Sequence, residues 1–252
     1  MPNKNKIINI LSISDIHNNV KCVKKLVQQE KGPFDAVIIA GDIGSDAIEN
    51  IMTELETYNC PIAYVLGNWD NKVVYSRKIS KKSLHLHDND LILGNYIISG
   101  FSGCESHWGQ NPYGNFEDEI LLRNINDLQK RMANKNNFYQ VIVSHDRVYK
   151  IHEFFPHCSL HIFGHRHGFK LTQYKGVYNL NTSNLDKLNY FRSRDKPDIY
   201  KNGDCGFYGV ISLQPNGEIN IARRQLLVED DLWEFFMDGG IIDQKYYDGD
   251  SV

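Results

Sequence analysis

Cysteine is scarce and unpaired in this sequence. Cys22, Cys60, Cys104, Cys158 and Cys205 are odd in number, widely spaced and without a Cys-x-x-Cys. This argues against a disulfide framework or a thiolate zinc site and fits a reducing, cytoplasmic setting. Long apolar runs are missing as well: no segment approaches the roughly 20 apolar residues of a membrane span, so no membrane association is expected. The opening MPNKNKIINILSISDIH holds a short apolar run interrupted by Asn and Ser and ended by Asp and His. That is the pattern of a first strand rather than of a signal peptide. Neither sign of charge is in excess, since 28 basic against 31 acidic side chains leave a formal −3. No global field then draws the chain to nucleic acid or to an anionic membrane, and any polyanion contact has to be local. Internal repeats and low-complexity tracts are also absent.

What is present is alternation. Short runs rich in β-branched residues, IINILSIS (7–14), DAVIIA (35–40) and IAYVL (62–66), alternate with helical patterns at 19–30 and 46–58, as in a layered α/β sheet. In the first helix Val20, Val23, Leu26 and Val27 share one face. Residues 84–101, broken by Asp-Asn-Asp and Gly-Asn, predict antiparallel hairpin strands, so the sheet should be mixed. An amphipathic helix follows at 117–134, then buried-strand patterns at 140–144 and 160–164. Further strands at 169–174 and 176–181 precede a hairpin, 206–213 and 219–227, around QPNGE. With 252 residues, 41% of them hydrophobic, one large domain is expected over 1–228. The acidic, aromatic stretch 229–252 is set apart as a tail able to dock on the body or on a partner.

Five apolar runs end in residues able to bind a metal: Asp15 and His17, Asp42, Asn68, His145, and His165 with His167. In α/β sheets the carboxyl ends of parallel strands open onto one crevice, so these seven side chains are expected to converge there. A single acid or imidazole after a strand is ordinarily a cap or a solvated loop residue; five strands ending this way make a metal site the better reading. Seven ligands exceed what one zinc takes, which favours two ions with a shared carboxylate such as Asp42. Oxygen and imidazole donors suit Mn²⁺, Fe, Co²⁺ or Zn²⁺ rather than a soft metal. Two such ions favour phosphoester hydrolysis.

These elements, Asp-Ile-His, Gly-Asp, Gly-Asn with a following acid, Ser-His and Gly-His-Arg-His in that order over residues 8 to about 185, resemble the calcineurin-like metallophosphoesterases. The resemblance implies an α/β/β/α sandwich of four layers with two mixed sheets. It implies that Asp15, His17, Asp42 and His167 hold one metal while Asp42, Asn68, His145 and His165 hold the other. Mn²⁺ is the first choice, with Fe, Zn²⁺, Co²⁺ and Ni²⁺ open. Gly41, Gly67 and Gly164 are expected to let the backbone turn sharply at the strand ends. Many relatives carry a histidine where this chain has Trp69, and there it protonates the leaving oxygen, with the following acid, here Asp70, orienting it. An indole N–H has no usable acid pKa. Relatives lacking that histidine are often small phosphodiesterases, so diester hydrolysis by a metal-bound hydroxide is the first expectation. Trp69 would serve as a stacking wall for a leaving group or simply pack under a loop. Monoester hydrolysis, nuclease activity and a non-catalytic scaffold are the alternatives.

Other residues complete the candidate set. His107, on a glycine-rich loop, could replace the missing acid, whereas His85 and His87 alternate on one strand face. Arg147 and Arg166, adjacent to ligands, are expected to clamp phosphate. Asp46 is expected to cap a helix. Basic residues Arg77, Lys78, Lys81 and Lys82, and Arg192, Arg194 and Lys196 beside Tyr190 and Phe191, could meet a nucleotide or single strand, although scattered surface charge explains them better. The expected partner is a phosphoester, with a nucleotide among the candidates and nucleic acid not favoured; a dimer is compatible with all of this.

Overall fold

The structure, a computed structural model, describes residues 5–73, 78–104, 118–186, 190–192, 200–202 and 206–226. The tail at 229–252, His107 and Arg77 lie outside them, as do Arg194 and Lys196. The chain runs β1 (Ile8–Ile13), α1 (Val20–Gln29), β2 (Ala36–Ala40), α2 (Ile48–Leu55), β3 (Ile62–Val65) and β4 (Ser83–His85). It continues through β5 (Leu91–Leu93), β6 (Tyr96–Gly100), α3 (Asp118–Met132), β7 (Tyr139–Val143), α4 (Ile151–Phe154) and β8 (Cys158–Phe163). After β9 (Lys170–Tyr174) and β10 (Val177–Asn181) come a small ribbon, β11 (Tyr190–Arg192) with β12 (Tyr200–Asn202), and the hairpin β13 (Phe207–Leu213) and β14 (Ile219–Gln225).

Two mixed sheets result. The first has the order β14-β13-β1-β2-β3-β4 and the second β5-β6-β7-β8-β10-β9. In each, four consecutive strands are parallel, β1 to β4 and β6, β7, β8 and β10, and the outer partners are antiparallel. The period-two alternation of strand side chains sorts the apolar residues into separate cores. Ile10, Ile38, Ala63 and Val65 face Ile98, Val141, Val143, Leu160 and Ile162 between the sheets. Their neighbours Leu11, Ile13, Val37, Ile39, Ile62 and Tyr64 point the other way, onto Val23 and Leu26 of α1 and Ile51, Met52 and Leu55 of α2. Ile97 and Ile142 meet Ile125, Leu128 and Met132 of α3. The layers are therefore helix, sheet, sheet, helix. Strands buried on both faces read as continuous apolar runs, which is why β2 and β3 are apolar throughout.

The segment 84–101 departs from a simple hairpin. Only β5 and β6 pair antiparallel, whereas β4 joins the first sheet, parallel to β3. The chain changes sheets between them, and Arg131 from α3 fastens the crossover. Its guanidinium donates to Leu86 O at 2.9 Å, Gly100 O at 3.1 Å and Asp90 Oδ1 at 3.0 Å. Asp90 also accepts from Ser99 Oγ at 2.5 Å. Among the described residues no helix is long and apolar enough to cross a membrane.

Ile38 is fully buried between the sheets, while Leu171 on edge strand β9 is 41% exposed. Ile38→Ala should therefore cost about 2–5 kcal/mol in denaturant unfolding. Leu171→Ala should stay within about 0.5 kcal/mol. Equal effects would contradict this layering.

Candidate metal centre at the strand ends

Parallel register places the carboxyl ends of β1, β2 and β3 at one edge of the first sheet, and those of β7 and β8 at one edge of the second. Each strand is followed within a few residues by a polar side chain: Asp15 and His17, Asp42, Asn68, His145, and His165 with His167. The loops lock together through the backbone. Asp15 N donates to Gly41 O at 3.1 Å, Ile16 N to Asp42 O at 2.8 Å and Gly164 N to His145 O at 2.9 Å. Asp15 Oδ2 also accepts from His165 N at 3.0 Å, which ties the two sheets at the site.

The structure brings the seven residues together. Asp42 lies between two imidazoles, Oδ2 being 3.4 Å from His17 Nε2 and Oδ1 3.3 Å from His145 Nε2. His145 Nε2 is also 3.3 Å from Asn68 Oδ1. His167 Nε2 is 3.2 Å from Asp15 Oδ1, and the rings of His145 and His165 meet edge-on at 5.1 Å. Asp15 and His145 are fully buried, whereas the His167 side chain is 29% exposed. The centre therefore opens on the Gly-His-Arg-His loop.

These residues fit divalent cations. Among the described residues the ion pairs of Asp15 and Asp42 are with histidines alone, which carry positive charge only while protonated, and buried carboxylates left without such charge are costly. His17 Nε2 is buried without a hydrogen bond although Asp15 and Asp42 oxygens face it at 3.9 and 3.4 Å. A buried nitrogen aimed at two carboxylates and bonded to neither is the arrangement of a ligand. The opposite nitrogens are held from behind. Ala40 O lies 2.8 Å from His145 Nδ1 and Asp186 Oδ2 3.4 Å from His17 Nδ1. Such partners fix the tautomer that leaves Nε2 available to ligate.

The backbone is strained at the same place. Among the described residues ten non-glycine positions have positive φ, and Asp15, His17, Asp42, His165 and His167 are five of them. Each such conformation costs on the order of 1–3 kcal/mol, and it is retained where function needs the side chain so aimed. Gly41 does use a left-handed turn, at φ +90°. Gly67, at φ −114°, does not, and neither does Gly164. They are needed for space instead: a Cβ at Gly67 would collide with Asp42 Oδ1 and the His145 ring, and one at Gly164 with Ser14 Oγ and Asp15 Oδ2.

Several expectations change. Asp70 is not placed to touch a substrate or orient an acid. It is fully buried, and its two oxygens accept from Gly44 N at 2.7 Å and Gly67 N at 2.8 Å. It staples the Asp42 and Asn68 loops, and burial, reinforced by the Asp42 charge, lifts its pKa to about 7. Asp46 caps nothing: it is exposed beside Lys72 at 3.0 Å, and the donors at the start of α2 go to Asn18 Oδ1 instead. Arg147 and Arg166 lie beside the site, Arg147 exposed and the Arg166 side chain 57% so. Arg166 Nε lies 4.0 Å from Asp146 Oδ1, and the Arg147 guanidinium lies 5.1 Å from the Tyr149 ring centroid. Trp69 is half-buried, its ring 4.5 Å from that of His17, and its backbone N–H donates to Asp42 Oδ1 at 2.8 Å. His85 and His87 bracket Ser102, and Lys82 sits at the opposite, amino end of the sheet beside Ile62.

Two residues near the centre escaped the sequence reading. Asp186, beyond β10, follows the same rule of acids after strands and would have been found by extending it to that strand. Cys104 lies just past β6, fully buried, with Sγ 3.3 Å from Asn68 Oδ1. Its ligand atom is within 4.8 Å of those of His145 and His165.

Residues 8–187 match the family model described as a calcineurin-like phosphoesterase superfamily domain. No curated protein matches the chain in sequence. Among solved structures it is similar to TT1561 of Thermus thermophilus, at 13% identity and TM-score 0.61, covering 88% of this chain and 100% of the other. A phosphopantetheinyl hydrolase from Mycobacterium tuberculosis is 14% identical with TM-score 0.53, covering 71% and 90%. A putative 5'-nucleotidase from Staphylococcus aureus, 13% identical with TM-score 0.54, covers 92% of this chain and 58% of its own. At these identities the likeness is one of fold.

For protein stripped of metal, burial opposes the charged imidazoles. Asp186 and Asp42 around His17, and Asp42 and Asp15 around His145, outweigh it and hold both pKa values at about 10. Both rings are then protonated at neutral pH and must lose that proton to ligate. Metal loading should release protons, and affinity should rise with pH toward 10 by about tenfold per unit for each proton displaced. Calorimetry in buffers of different ionisation enthalpy measures this; a pH-independent affinity would contradict it.

Proposed function

We propose that this chain, which belongs to the calcineurin-like phosphoesterase superfamily, is a two-metal hydrolase of phosphodiesters. The observation that carries the reading is Asp42, whose two oxygens face His17 and His145 separately, a placement that suits a carboxylate shared between two ions. Asp15, His17, Asp42 and His167 would hold one ion and Asp42, Asn68, His145 and His165 the other, with Mn²⁺ the first choice for such donors. Two ions there would supply a water of lowered pKa and would neutralise phosphate oxygens.

The protein's own groups define the rest. Asp186 and Ala40 O hold the outer nitrogens of His17 and His145. The neutral carboxamide of Asn68 limits the negative charge that an incoming phosphate meets. The guanidiniums of Arg166 and Arg147 beside the open side are suited to meet nonbridging oxygens. Trp69 covers His17 and has no proton to deliver, so the leaving group must depart unaided. That favours diesters with good leaving groups, and the indole supplies an apolar wall for a base or aryl ring. Cys22, Cys60, Cys104 and Cys158 are buried thiols outside any disulfide, which fits a reducing, cytoplasmic setting.

The test is hydrolysis of matched aryl diesters and monoesters with leaving groups of graded pKa, using stripped protein reloaded with Mn²⁺. Diesters should be preferred, with rates falling steeply as leaving-group pKa rises. Asn68→Ala and His165→Ala should each cut kcat/KM by at least about 100-fold, the upper end for losing a residue behind a ligand. Trp69→His should raise turnover of the poorest leaving groups by up to about 10²–10⁴-fold. A monoester preference with flat leaving-group dependence would sink the diesterase reading.

A further inference from the structure

We infer that Cys104 is an additional ligand of the metal position formed by Asn68, His145 and His165, giving that ion a sulfur donor. The inference rests on the two-metal reading above. Two observations support it. The Cys104 sulfur and the His145 and His165 nitrogens all lie within 4.8 Å of one another. Donors at about 2.0–2.3 Å from one ion necessarily fall within such a radius. The sulfur also lies 3.3 Å from Asn68 Oδ1, the same oxygen that His145 Nε2 approaches.

The placement is built rather than incidental. Leu66 N donates to Ser102 Oγ at 2.8 Å, and Gly103 N donates to Leu66 O at 3.0 Å. The strand leading to Asn68 is thus tied to the segment leading to Cys104. Ser102 is itself held, its Oγ 2.8 Å from His85 Nε2 and its N–H donating to His87 Nδ1 at 3.0 Å. This gives His85 and His87 a role: they fix the turn that presents the thiol. The other described cysteines are elsewhere, Cys22 and Cys60 in the core under α1 and α2 and Cys158 in the core under α3.

When an ion binds, the thiol gives its proton to solvent as the metal–sulfur bond forms. A thiolate donor shifts preference from Mn²⁺ toward Zn²⁺ or Co²⁺ at this position. The two positions then differ, one all oxygen and imidazole and the other with sulfur.

X-ray absorption at the zinc edge decides it, on the 252-residue chain loaded to two Zn²⁺ per chain. One sulfur at about 2.3 Å, half a sulfur per zinc on average, is expected in the native chain and in Cys205→Ser. It should be lost in Cys104→Ser and in Cys104→Ala, whose folding is checked by thermal unfolding. Two bound zinc ions with only nitrogen and oxygen neighbours would overturn the role of Cys104 and leave the two-metal reading standing. A chain that binds no zinc would overturn both.

Discussion

The structure turns on one electrostatic constraint. Asp15 and Asp42 are buried where two sheets meet, and among the described residues their ion-pair partners are all imidazoles. Carboxylates in such a place need positive charge, and no described lysine or arginine pairs with them. For stripped protein the deficit is met by protons: His17 and His145 are held charged, and the Asp42 carboxyl is kept well below its ordinary range despite burial. Divalent cations meet it more fully, because each replaces a proton and supplies two charges. The same feature that makes the centre costly to bury therefore suits it to divalent cations.

The fold is what concentrates that charge. Parallel strands in both sheets end at one edge, and the loops beyond them bond to each other instead of to their own strands. Asp70 joins two of those loops through backbone N–H groups, Arg131 pins the crossover between sheets, and Asp186 reaches the back of His17. The left-handed backbone at five of the seven converging residues is a local cost of this geometry. Sheets buried on both faces supply the packing against which it is held.

Much of this was legible in the sequence because it obeys short-range rules. Apolar runs of strand length, helical periodicity and the polar residue closing each run required no tertiary knowledge. Long-range placement set the boundary of what could be read. Residues 83–85 alternate like the strands after them, yet pair with β3, and the crossover beyond them is held by Arg131, more than forty residues away. Asp70 follows Trp69 and so reads as part of the chemistry; only the positions of Gly44 and Gly67 show that both its oxygens are taken. Cys104 sits in no motif, and its approach to Asn68 depends on hydrogen bonds between Leu66, Ser102 and Gly103. Asn18 acts on α2 from another loop, a role that no local capping pattern reveals.

The strand ends converge on one crevice suited to two ions with Asp42 between them. Anomalous diffraction at the manganese edge, from crystals of the Mn²⁺-loaded chain, tests it most directly. Two peaks about 3.5–4 Å apart are expected, one flanked by His17 and His167 and the other by His145 and His165, with Asp42 between them. A single peak, or peaks remote from Asp42, would contradict it.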